Sequence, residues 1–248
     1  MSIQKWGALA AFTEAVIYLF GFIWFFAVLD PSHLVEASCA VAPCIDDTAA
    51  TLSKINIEFM INHQDSYFLG YLVCGILFSF VLIILVQALY RRFKPVAPEL
   101  MSFATTVGYL WAAIVLASSL VFLTGLGALV QDYSADAEQA MTVYQSVSIV
   151  IDALGGGIEL VGALWVLLVS YVGLTYRIFH AWVHFWGIVV GISGVLTLFS
   201  GLSFLSTLFL FEMMTAIFGL GQIVWFIGLG IEMLKESRSS SSVTGSQA

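Results

Sequence analysis

Charge is what this sequence has least of. Of its 248 residues, 10% are charged and 60% are hydrophobic, whereas a soluble domain carries about 25% charged residues. A soluble fold of this size could not keep its surface wet with so few. Short alternating apolar segments, the mark of a membrane β-barrel, are missing. No basic patch with interleaved aromatics suggests nucleic acid. There is no Walker A loop, no serine-nucleophile elbow and no His-Glu-x-x-His. No internal repeat supports an inverted-repeat transporter. These absences exclude most soluble classes and weaken the case for an enzyme.

What is present is apolar sequence in long blocks. A bilayer-spanning helix needs roughly 20 mostly apolar residues, and helices and closed barrels alone satisfy their backbone hydrogen bonds in lipid. The blocks predict an all-α, polytopic transmembrane helical bundle of about six spans. These run over residues 6–29, 66–90, 102–130, 147–174, 180–199 and 207–234. The first is longer than the apolar core of a signal peptide and has no clear small-residue cleavage site, so it reads as a retained span. Residues 1–235 form one transmembrane domain. It includes a polar loop at 30–65 with a short helical piece near 52–62. The Ser-rich stretch 236–248 reads as a disordered tail.

Lys and Arg set the orientation. Lys5, Arg91, Arg92, Lys94, Arg177, Lys235 and Arg238 fall on one side of a six-span arrangement, and Lys54 alone falls on the other. Both termini are therefore expected in the cytoplasm, with loops 30–65 and 131–146 facing outward. The net charge of −8 does not imply an acidic partner in this setting, because most carboxylates sit in the loops of one side.

An ionisable group inside a bilayer costs about 2.5–3.5 kcal/mol on insertion scales. Glu14, Asp152, Glu159 and Glu212 are the candidates. Glu159 is expected nearest the midplane, Glu14 in the inner third, and Asp152 and Glu212 toward the outer side. Span four carries Ser148, Asp152, Gly155, Gly156, Glu159, Gly162 and Ala163 at helical spacing, a small and polar stripe that should face protein. Its glycine triplet weakens the helix by roughly 1 kcal/mol per Gly, so a local distortion is expected there. Matching stripes are Gly7, Ala11, Glu14, Tyr18 and Gly21 in span one, and Glu212, Thr215, Gly219 and Gln222 in span six. Span five carries His184, Gly187, Gly191 and Gly194. Glu14, Tyr18, Asp152, Glu159, Glu212 and Gln222 are thus the candidate ligand-binding residues. The competing reading makes the carboxylates packing elements that hydrogen-bond between helices.

His180 and His184 are spaced to share one metal, but no Glu or Cys accompanies them, and an interfacial role beside Trp182 and Trp186 is preferred. No metal site and no cofactor is identified. Cys39 and Cys44 lie in the outward loop and suit a disulfide in an oxidising compartment. Cys74 reads as an inert residue of span two.

The segments Trp6 to Ala15, Gly108 to Ser118, Gly155-Gly156-Gly157-Ile158-Glu159-Leu160-Val161-Gly162 and Phe218 to Phe226 resemble a bacterial family of roughly six-span membrane proteins known only as a domain of unknown function. The resemblance covers about Trp6 to Leu234. It implies a bacterial inner membrane and about six helices, and brings no activity with it. Members often carry Asn at the position of Ile158, so a polar contact is missing here.

Two functions are expected. The first is binding or transport of a small molecule or ion through a buried carboxylate-lined site. The second is a non-catalytic structural or accessory subunit of a larger membrane complex. A lipid-acting enzyme ranks third, since it needs His180 with His184, or Glu14 with Glu159, at one cleft. The expected partner is the lipid bilayer, not nucleic acid. Homo-oligomerisation or docking to a membrane-complex partner stays open.

Overall fold

A computed structural model describes residues 3–31, 48–133, 135–156, 160–202, 204 and 209–245. Among them there are helices and no strand. Helix α1 (Ile3–Ile23) runs into a π-helical turn, Trp24–Val28. After α2 (Thr48–Asn62), α3 (Gln64–Tyr71) passes through a second π turn, Leu72–Leu77, into α4 (Phe78–Phe93). Then come α5 (Pro98–Asp132), α6 (Ala137–Ile151) with a third π turn at Asp152–Gly156, α7 (Leu160–Tyr176), α8 (Ala181–Thr197) and α9 (Phe209–Gly245).

Five of these runs are long and apolar enough to cross a membrane: Ile3–Val28, Gln64–Phe93, Pro98–Asp132, Ala181–Gly201 and Phe209–Ser237. The remaining expected span, residues 147–174, is divided between the end of α6, the third π turn and α7, and its apolar core is α7. The 17 residues of α7 extend roughly 25 Å at 1.5 Å per residue, slightly less than a hydrocarbon core of about 30 Å. Large apolar side chains such as Leu9, Val16, Phe26, Phe80 and Phe103 point outward. A soluble fold could not carry such a surface; in a bilayer it faces hydrocarbon. The protein is an integral membrane protein built as a helical bundle.

Local chemistry fixes the breaks. Pro98 opens α5, where its missing N–H costs no hydrogen bond. Asp136 caps α6 by accepting the Gln139 N–H at 3.0 Å, so the acidic turn after α5 is shorter than the sequence suggests and α6 starts ten residues before the expected span four. The Tyr176–His180 turn holds Arg177 and Phe179 at positive φ, 54° and 63°. His180 then caps α8, its Nδ1 accepting the Trp182 N–H at 3.2 Å. The last helix continues to Gly245, past Leu234 where the sequence placed the end of span six.

Small residues set the packing. Gly187, Gly191 and Gly194 of α8 admit side chains of α7 and α9 so closely that an added methyl would collide with Ser170, Leu167 or Phe218. The glycine stripe of span five therefore serves contacts within this chain. Without a hydrophobic drive between helices in lipid, such close van der Waals fit is a main source of association.

The basic residues gather at one end. Gln4 Nε2 donates to the Ala88 carbonyl at 3.3 Å, tying the start of α1 to the end of α4. Arg92 forms a two-pronged pair with Glu236, its Nε donating at 2.6 Å. The Arg92 guanidinium also lies 5.8 Å from the centroid of the Phe179 ring. Glu232 accepts the His180 backbone N–H at 3.0 Å and Lys235 Nζ at 2.7 Å. Lys54 is paired with Glu58, which also accepts the Tyr133 hydroxyl at 3.1 Å at the other end of α5.

Candidate functional site

The helix stripes read from the sequence do meet in the interior, but only part of the expected residue set goes with them. Glu14 is fully buried on α1, in a run of buried alanines at positions 8, 10, 11 and 15 that brings neighbouring helices close. Gln222 is fully buried on α9. α1 and α9 run antiparallel, with Gly7 beside Met233 and Gly219 beside Phe22. Glu14 and Gln222 therefore lie on opposite sides, along the bundle axis, of the contact between Tyr18 and Phe226, whose ring centroids are 5.8 Å apart. Tyr18 also meets Phe78 of α4 at 5.9 Å.

From Phe226 the interior continues as packed aromatic rings. Trp225 lies 5.4 Å from Phe226 and 5.6 Å from Trp165 of α7, which in turn lies 5.8 Å from Trp111 of α5. Trp225 Nε1 and Ser170 Oγ both reach the space that a Cβ on Gly187 would fill. One turn further along α7 and α8, the His184 ring occupies the space beside Gly173. His184 Nε2 is 2.6 Å from the Ile178 carbonyl. A carbonyl only accepts, so Nε2 carries the proton and Nδ1 presents a lone pair.

The polar atoms of this interior share one property. Both oxygens of Glu14, both terminal atoms of the Gln222 amide, Ser170 Oγ, Trp225 Nε1 and His184 Nδ1 have no hydrogen-bond partner among the described residues. All five residues are 0% exposed. The large majority of buried side-chain polar atoms in proteins are paired, and leaving one unpaired costs about 1–3 kcal/mol. Such a concentration on α1, α7, α8 and α9 marks a polar seam through an otherwise aromatic and aliphatic core.

Asp152 and Glu212 do not join it. Asp152 opens the third π turn and Glu212 lies in the first turn of α9, and both are exposed. The spacing that put them on polar stripes is real, but those stripes emerge at helix ends. Glu159 lies outside the described residues, as do Cys39 and Cys44. The histidine pair is split: His180 is an exposed helix cap and His184 is buried under Phe93 and Phe179. The interfacial position expected for His184 is corrected accordingly, because Gly173 opens room for its ring inside the bundle. Among the described residues, no group of three or more His, Cys, Asp or Glu side chains is arranged to hold a metal.

Ser170, Trp225 and His184 were not among the candidates. His184 stands three residues before Gly187 on the glycine stripe, and that register was the available signal. Ser170 sits alone in a run of Leu, Val and Tyr, and nothing near it in sequence sets it apart.

Residues 16–230 match a protein family described as Domain of unknown function (DUF4386). The chain belongs to this family. The match spans Tyr18, Ser170, His184, Gln222 and Trp225, and begins two residues after Glu14. No curated protein and no solved structure matches the chain.

Proposed function

We propose that this DUF4386 protein binds a small hydrogen-bonding solute or cation in the polar seam and serves in its passage across the membrane, with Glu14 as the principal ligand. The observation that supports the reading is the complete burial of Glu14 with neither carboxyl oxygen bonded to another described residue. A carboxyl group that only joined helices would bond to a neighbouring helix. Gln222, further along the antiparallel α9, adds an unpaired donor and acceptor elsewhere on the seam. Ser170, Trp225 and His184 extend the polar line toward the end where the basic residues gather. That end is the cytoplasmic one by the positive-inside rule, in a bacterial inner membrane.

The test is native mass spectrometry of the gently extracted protein, wild type against Glu14→Gln and Gln222→Leu. A small added mass on the wild type that Glu14→Gln loses supports the reading. Retention of extra protein subunits by all three, with no small mass, makes the chain an accessory subunit and the buried carboxyl a packing element.

A further inference from the structure

A second feature lies apart from the seam, on the far side of Tyr18. Two hollows, of about 440 and 270 Å³, open between α1, the α3–α4 run and α5. They share Phe25, Cys74 and Val115 in their walls and so form one elongated groove. Small-molecule sites commonly fall at about 300–1,000 Å³.

The backbone around this groove is unusual. Phe25 and Phe26 belong to the π turn Trp24–Val28, and Cys74 and Gly75 to the π turn Leu72–Leu77. Ile151, on the wall of the smaller hollow, is the last residue before the π turn Asp152–Gly156. Well under 1% of residues in soluble proteins are π-helical, and single π turns recur at functional sites. Two of them line one groove here, and a third begins at its edge.

The walls select the occupant. They are aromatic and aliphatic, chiefly Phe22, Phe25, Phe78, Trp111 and Val115. Both serine hydroxyls of the smaller hollow already donate to backbone. Ser118 Oγ donates to the Ile151 carbonyl at 3.3 Å and Ser119 Oγ to the Val115 carbonyl at 2.9 Å. With so few polar groups in a mainly apolar lining, a hydrophilic solute would leave most of its own unpaired. Phe26 at the rim is 74% exposed, on a helix that crosses the bilayer, so the groove opens sideways toward lipid. We propose that it holds an acyl chain of a membrane phospholipid, inserted laterally past Phe26. The site is separate from the seam and does not depend on Glu14.

Trp111 provides the readout, because its ring lines the groove while remaining only 6% exposed. The full chain is reconstituted into phosphatidylcholine vesicles with or without brominated acyl chains, and tryptophan quenching is measured. Trp111→Phe, measured in parallel, isolates the emission of that one ring. The Trp111 component should be quenched in the wild type and in Glu14→Gln, and released in Val115→Phe or Gly21→Leu, either of which fills the groove. An unquenched Trp111 component in the wild type overturns the proposal without reference to any filled variant. Quenching by a membrane-soluble quinone but not by brominated phospholipid overturns the phospholipid assignment. Loss of solute binding in Glu14→Gln with Trp111 quenching intact would leave the two sites separate, as argued.

Discussion

Ser170 Oγ and Trp225 Nε1 converge on the same point over Gly187, and neither has a hydrogen-bond partner there. Both can donate, and both are held by helices packed too closely to turn away. The absent side chain of Gly187 is what leaves room for them. Ser170→Ala removes only a hydroxyl. It deletes an unpaired buried polar group, whose cost is about 1–3 kcal/mol. Thermal unfolding in detergent should therefore show this variant as stable as the wild type or more so. A marked fall in melting temperature would mean that the hydroxyl is bonded in the membrane.

Gly187→Ala should do the opposite. Its methyl would overlap both Ser170 and Trp225, and overpacking a tight core costs about 1–3 kcal/mol. The same measurement should place this variant below the wild type, with Gly173→Ala lowered in like manner because its methyl would strike the His184 ring.

His184 ties the turn before α8 to the helix itself. Its Nε2–H bonds to the Ile178 carbonyl between two residues of positive φ, Arg177 and Phe179. His184→Phe fills similar space but strands that carbonyl, at a cost of about 1–3 kcal/mol. Amide exchange around residues 177–182 should accelerate in the variant while α1 and α4 keep their protection. Uniform loss of protection would show that His184 supports the whole bundle and not this turn.

The pair between Arg92 and Glu236 is two-pronged but one-third exposed, with side chains at 34% and 33%. Such pairs contribute about 0.2–1 kcal/mol. Glu236→Gln should lower stability by no more than that, and high salt should narrow the gap. A loss of several kcal/mol would mean that the pair is shielded by lipid or by another protein.

Much of the fold was legible because lipid imposes one rule on every span. Apolar length located five helices long enough to cross a membrane and a shorter sixth, α7, and the Gln4, Arg92 and Glu232 contacts gather the basic residues at one end. The helix near 52–62 was visible in the loop. The site was legible only where a stripe stayed inside the bundle. Glu14 belongs to a stripe buried from Gly7 through Ala11, and Gln222 is the buried end of a stripe whose other end, at Glu212 and Thr215, is exposed, as is Asp152. Periodicity gives a helix face but not its depth. The π turns were foreshadowed only at the glycine triplet. Trp24–Val28 and Leu72–Leu77 contain no sequence signal that separates a π turn from an α-helix.

The central claim is that Glu14 meets a bound solute in the seam. An experimental density map of the wild-type protein in lipid tests it most directly. The account predicts non-protein density, larger than one water or with the close oxygen coordination of a cation, within hydrogen-bond or ligand distance of the Glu14 carboxyl group. A Glu14 carboxyl group bonded directly to another side chain or to the backbone, with no such density beside it, would contradict the account.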